Sequence, residues 1–191
     1  MSKKFQVTGI CIPDKHYMVD ISSKIENIIS DYIDAGKYFT INRARQYGKT
    51  TLLYLLEEKL KDRNIVLSLS FEAADDYFTS PRNLALGLIS DIGDRLLHQD
   101  VPEEVIKAWR EPLIDDFPMK ALGRKITALC SQCKKNVVLM IDEVDKSSDN
   151  QIFLSFLGLL RAKYLDQLKG RDVTFQSVVL AGVYDIKNSN L

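Results

Sequence analysis

The sequence predicts an α/β protein, with a mostly parallel sheet covered by helices on both faces. Three observations carry that expectation. Short apolar runs alternate along the chain with longer segments of helical periodicity. One run, Tyr38–Asn42, leads through Arg43–Gly48 into Lys49 and Thr50. Another, Val137–Ile141, leads directly into Asp142 and Glu143. Strands alternating with helices imply right-handed crossovers. Ligands in such sheets bind at the carboxyl ends of the strands.

The elements follow in order. Residues 5–20 read as extended, with a turn at Pro13–Lys15 between Val7–Ile12 and Tyr17–Val19. From Ile21 to Ile33, Ile25, Ile28, Ile29, Tyr32 and Ile33 share one helical face, and Gly36 follows the helix end. The Tyr38–Asn42 strand comes next. The helix from Lys49 carries Leu52, Leu53, Leu55, Leu56 and Leu60, enough breadth to be largely buried. Ile65–Phe71 is nearly continuous in apolar residues, the pattern of a strand covered on both faces. Helices are expected over Ser80–His98, Pro102–Trp109 and from Pro118, each with a proline near its start. Asn150–Leu168 is a further helix, and Thr174–Ala181 the last strand.

Composition bounds the function. The chain has 191 residues, 46% hydrophobic and 27% charged, ordinary for a globular domain. Lys plus Arg and Asp plus Glu both number 26. Zero net charge argues against a domain built mainly to neutralise nucleic-acid phosphates. No apolar window approaches the ~20 residues that cross a bilayer. The N-terminus lacks the apolar stretch of a signal peptide. Three sparse cysteines, Cys11, Cys130 and Cys133, fit a reducing compartment, so a cytoplasmic location is expected. The Cys130–Cys133 spacing has the form of a redox or metal pair, but zinc needs about four ligands. Core or surface cysteines explain it more simply.

Two motifs carry the chemistry. Gly48-Lys49-Thr50, between a strand and a helix, has the form of a P-loop. Gly48 lets backbone approach phosphate. Lys49 places a point charge at the β- and γ-phosphates, and Thr50 offers a hydroxyl to Mg²⁺. Arg43 stands where the usual pattern has its first Gly. Either Arg43 or Arg45 is a candidate to stabilise the γ-phosphate in cis, with Arg45 taken as the catalytic one. Arg43, Ala44, Arg45, Gln46, Tyr47, Gly48, Lys49, Thr50 and Thr51 are the candidate nucleotide-binding residues. After the second apolar strand, Asp142 is the candidate second Mg²⁺ ligand and Glu143 the base that polarises the attacking water. Unpaired burial being costly, both carboxylates are expected at the strand's exposed end. Asp145 is expected to orient neighbours or meet a basic group. A surface turn and a helix cap explain each motif alone, but explain the pair poorly.

Asn42-Arg43-Ala44-Arg45-Gln46-Tyr47-Gly48-Lys49-Thr50, Ile141–Asp145, Leu180–Asn188 and the stretch from Gly9 to Asp20 together carry a resemblance. The chain resembles the AAA-like ATP-binding domains of bacterial proteins in the ASCE division of P-loop ATPases, differing at Ala44, where many members have Pro. The resemblance covers essentially the whole sequence. It implies a three-layer P-loop NTPase sandwich and a sensor residue after the last strand, with Tyr184 and Asp185 as the candidates. It also implies a C-terminal lid that this sequence lacks, so the chain reads as the N-terminal portion of a longer protein with an effector domain or homo-oligomeric partners. The expected organisation is an extended segment and helix over 1–35, packed on an ATPase core over 36–191 that is incomplete at its C-terminus.

The leading expectation is Mg²⁺-dependent ATP binding, with hydrolysis in the full-length context. The alternative is a nucleotide-binding regulatory switch or scaffold with little or no turnover. A phosphotransferase acting on a small molecule is a third class. The adjacent acidic pair favours water activation over it.

Overall fold

The computed structural model describes residues 3–6, 9–42, 48–147 and 150–183, with the side chains of 146 and 147 excluded. Four strands, β1 (Tyr38–Asn42), β2 (Asn64–Ser70), β3 (Asn136–Asp142) and β4 (Ser177–Gly182), form one sheet in the order β1-β4-β3-β2. Every pairing is parallel, so all four strands end on the same rim. The helices are α1 (Ser22–Ile28), α2 (Lys49–Leu60), α3 (Pro81–Leu96), α4 (Glu103–Arg110), α5 (Pro118–Gln132) and α6 (Gln151–Leu168).

Strand periodicity divides the core into two. Val66, Val138, Met140, Val179 and Ala181 face α1 and α2, where they meet Ile25, Leu52, Leu53, Leu56 and Leu60. The alternate residues Ile65, Leu67, Leu69, Val137, Leu139, Ile141 and Val178 join the larger cluster with α3 to α6. Successive side chains on a strand point to opposite faces, so a continuous apolar run signals a strand covered twice. The outcome is the expected three-layer α/β sandwich.

Several local expectations need correction. The first helix stops at Ile28 and continues as a π-helical turn over Ile29–Ile33. The wider turn rotates the face, so Ile25 and Ile33 are buried while Tyr32 is 42% exposed. Gln176 holds that turn by donating its side-chain amide to the carbonyls of Ile33 and Asp34, both at 3.2 Å. Thr174, Phe175 and Gln176 precede β4 rather than forming its start. Cys133 lies just past α5. The N-terminal segment expected to be extended carries, among the described residues, one isolated parallel bridge between Lys4 and His16; Val7 and Thr8 lie outside those residues. The loop after β2 contains a 3₁₀ turn, Asp75–Thr79.

Near the strand starts, one buried charge interaction ties three elements together. Lys163 of α6 is only 5% exposed. Its ammonium donates to Asp172 Oδ2 and to Thr127 Oγ1 of α5, both at 2.7 Å. The Thr127 hydroxyl in turn donates to Asp172 Oδ1 at 2.7 Å. Burial pushes the Asp172 carboxyl up. The hydrogen bonds from Lys163, Thr127 and the Val173 N–H, with the Lys163 charge, outweigh that and hold it below its ordinary value.

Removing the Asp172 carboxylate strands a buried ammonium. Asp172→Ala is expected to lower the unfolding free energy by about 3–5 kcal/mol, read from the urea midpoint at unchanged slope. Lys163→Met leaves a half-buried carboxylate that water can reach, so its cost should be smaller. Because the Asp172 pKa is depressed on folding, its contribution is present above the unfolded value of about 3.9 and is lost as pH falls through the lower folded value. In Asp172→Asn, the acid-side fall of the urea midpoint should be correspondingly shallower.

Candidate functional site

The site forms where α2 begins against the end of β3. Gly48 precedes α2 with φ of 72°, in the left-handed region. A Cβ built there would meet nothing within 4 Å. Glycine is therefore required by the backbone turn and not by crowding. Lys49 is the first helical residue and is 7% exposed. One residue on, Thr50 Oγ1 donates to Asp142 Oδ2 at 2.7 Å. The other Asp142 oxygen accepts the Glu143 N–H at 2.9 Å.

Asp142 departs from its expected setting. It is the last residue of β3, not the first beyond it, and is 6% exposed. Its carboxylate is tolerated there because both oxygens are hydrogen-bonded. Glu143 is half-buried at the strand end, and its φ of 60° makes it the one described non-glycine residue with positive φ. Backbone strain of this kind concentrates at sites where function fixes a side chain's direction.

Asp145 does orient a neighbour. Its Oδ1 accepts the Val183 N–H at 2.9 Å, fixing the end of β4 on the same rim. Gly182 makes that approach feasible. A Cβ there would sit 2.8 Å from Asp145 Oδ1 and 3.0 Å from its backbone nitrogen.

The structure thus brings together Gly48, Lys49, Thr50, Asp142 and Glu143. Thr51 is turned to another task, its hydroxyl accepting the Cys11 N–H at 3.1 Å and tying the N-terminal segment to α2. Arg43, Ala44, Arg45, Gln46, Tyr47, Tyr184 and Asp185 lie outside the described residues. A cavity of about 340 Å³ opens beside the Thr50–Asp142 pair, lined also by Ile10, Ser70, Glu143 and Arg95. Ser70 and Arg95 escape a sequence reading. Ser70 ends β2 opposite Asp142 in the register, a relation visible only once the strand order is known. Arg95 reads from sequence as an ordinary basic residue in a last helical turn.

The donor set suits a hard cation. A hydroxyl and a carboxylate in contact are oxygen ligands of the kind Mg²⁺ takes, usually with only one or two carboxylates and phosphate oxygens completing its shell. Among the described residues no group of three or more His, Cys, Asp or Glu is placed to hold a metal alone. The Cys130 and Cys133 thiols are both pushed up by burial, which disfavours thiolate chemistry.

The family model for the AAA-like domain matches residues 13–184. The chain belongs to the AAA-like domain family. Membership suggests nucleotide binding. A search of the curated proteins gives no match. Among the described residues of this AAA-like domain, no helix is long and apolar enough to cross a membrane.

The strain at Glu143 is testable through stability. A left-handed conformation costs a non-glycine residue roughly 1–2 kcal/mol, partly offset in Glu143→Gly by the greater entropy of the unfolded chain. Glu143→Gly should therefore melt at or above the parent temperature, whereas Glu143→Ala should not gain. A clear loss of stability in Glu143→Gly would mean that the side chain itself holds the rim.

Proposed function

We propose that this AAA-like domain binds ATP with Mg²⁺ and, in its full-length context, hydrolyses it at the β–γ bond. The observation that carries the reading is the 2.7 Å hydrogen bond between Thr50 Oγ1 and Asp142 Oδ2. It joins the hydroxyl and the carboxylate that a P-loop site uses on one metal ion. The family assignment and the left-handed Gly48 before α2 support the same reading.

Each residue has a distinct task. The backbone N–H groups of the α2 start, with the positive end of the helix dipole, receive phosphate oxygens. Lys49 neutralises the β- and γ-phosphates. Thr50 and Asp142 would hold Mg²⁺, which would supply positive charge against the phosphates. Glu143 accepts a proton from water as the water oxygen bonds to the γ-phosphorus and the bond to the β-bridging oxygen breaks, leaving ADP. Arg45 or Arg43 would add charge at the γ-phosphate, and Tyr184 or Asp185 would sense it. The domain's location in the cytoplasm belongs to the same reading.

Saturating MgADP or MgATP, at about a hundred times its dissociation constant, is expected to stabilise the domain by roughly 2.7 kcal/mol. Thermal melting reads this, and no shift together with no calorimetric binding would sink the reading. Lys49→Ala should weaken binding of both nucleotides, and Thr50→Ala should mainly weaken the dependence on Mg²⁺.

Glu143→Gln should leave nucleotide affinity nearly unchanged. It should slow phosphate release by the full-length protein about a hundred- to ten-thousand-fold. Parental turnover in that variant would remove Glu143 from the base role.

A further inference from the structure

Helix α6 carries more apolar surface than the sheet takes up. Phe153, Phe156 and Leu160 are buried in the core. A second set, Leu154, Leu157, Gly158, Arg161, Leu165 and Leu168, recurs in steps of three and four and so shares another face of the helix. Leu154, Leu165 and Leu168 are 45%, 40% and 67% exposed. This face looks past the edge of the sheet. Leu157, Arg161 and Leu165 line a groove of about 350 Å³ whose other wall is β1, from Tyr38 to Thr40. Among the described residues β1 pairs only with β4, so its outer edge has no ladder partner. Proline and charged side chains commonly protect such an edge, and β1 contains neither.

Gly158 says that something comes close. It stands inside an 18-residue helix, where glycine is disfavoured relative to alanine. Its φ is not positive, and a Cβ built there would meet nothing within 4 Å. Neither the backbone nor packing within the chain calls for glycine at this exposed position. A missing side chain lets a second backbone approach. Symmetry says what that neighbour is. Reversed about Arg161, the stripe repeats itself, with Leu154 exchanging places with Leu168 and Leu157 with Leu165. Reversed about Thr40, β1 puts Phe39 opposite Ile41. Thr40 and Arg161 line the same groove, so one two-fold axis beside it serves both reversals. Self-complementarity of this kind belongs to a contact between identical copies.

We propose that the α6–β1 face is the interface of a two-fold dimer of this chain. Helix α6 packs antiparallel to α6 of a second copy, and the two β1 edges face each other antiparallel. A two-fold axis perpendicular to the sheet keeps each face of the sheet on its own side, so α6 meets α6. On that side the leucine stripes close over the groove. On the other side Phe39 of each copy stands across from Ile41 of its neighbour, an aromatic and β-branched pairing that stabilises adjoining strands. Arg161 falls at the axis, against Arg161 of the second copy. One charged position in an otherwise apolar helix seam fixes its alignment at a cost in stability. The dimer is therefore weak and reversible. It involves no residue assigned to the nucleotide and stands apart from that reading.

Sedimentation velocity on the full chain, over a range of concentrations and without nucleotide, tests this on the parent, Leu165→Lys, Gly158→Leu and Arg161→Leu. The parent should show a monomer–dimer equilibrium with no larger species. Leu165→Lys should be monomeric. Gly158→Leu should be monomeric too, although its new side chain meets nothing in its own chain. Both positions lie outside the buried core, so circular dichroism of the two variants should match the parent. Arg161→Leu should tighten the dimer about tenfold or more, because it removes a like-charge pair from the seam. A parent that stays monomeric at the highest concentration reached overturns the inference. So does a dimer that survives both Leu165→Lys and Gly158→Leu, or one that Arg161→Leu leaves unchanged. Open-ended growth beyond the dimer overturns it as well, since a two-fold contact closes on itself.

Discussion

The hydrogen bond from Thr50 to Asp142 joins residues 92 positions apart, and most of the architecture is needed to make it. Asp142 must end a strand, and Thr50 must sit in the first turn of a helix that follows a different strand. The parallel sheet satisfies both demands, because every strand arrives at the same rim. Strand order matters equally. With β4 between β1 and β3, the chain leaving β1 must cross β4 and β3 to reach β2 at the far edge. Helix α2 makes that crossing, and its first turn meets the end of β3.

The local backbone sharpens the arrangement at some cost in strain. Gly48 and Glu143 both adopt left-handed φ values, 72° and 60°, on either side of the Thr50–Asp142 contact. Glycine does so with little penalty, and glutamate does not. A glycine at position 143 would suit the backbone better. The glutamate that stands there is best explained by what its carboxylate does in the cavity. The Glu143 N–H is held by Asp142 Oδ1, so the carboxylate that contacts Thr50 also helps fix the turn that aims Glu143. In the proposed function, metal ligand and base would thus be coupled through two adjacent residues and one carboxylate.

Much of the frame was legible in the sequence for a physical reason. A strand covered on both faces is apolar at nearly every position, and Val137–Ile141 and, apart from Ser68, Ile65–Leu69 display this. The Gly-Lys-Thr step said little by itself and gained weight from its place between an apolar strand and a leucine-rich helix. Less legible features all depended on distant partners. The burial of Asp142 needs Thr50, and a lone carboxylate after an apolar run reads as exposed. The π turn at Ile29–Ile33 is closed by Gln176, 143 residues from Ile33. Lys163 looks like a surface lysine on an apolar helix until Asp172 and Thr127 are placed beside it. Thr51 reads as part of the phosphate site, yet its hydroxyl serves the backbone of Cys11.

These long-range polar contacts divide the labour between the two ends of the sheet. Near the strand starts, Lys163, Asp172 and Thr127 lock α5, α6 and the approach to β4 through a network satisfied within itself. A buried polar network that is complete rigidifies its surroundings and has no capacity left for a ligand. At the rim the polar groups are left open by comparison. Glu143 borders a cavity and is held there by a strained turn. A group that must exchange partners during a cycle of binding and release cannot also be spent on fixed structure. The closed network at one end supplies the rigidity against which the open one at the other can respond to a ligand.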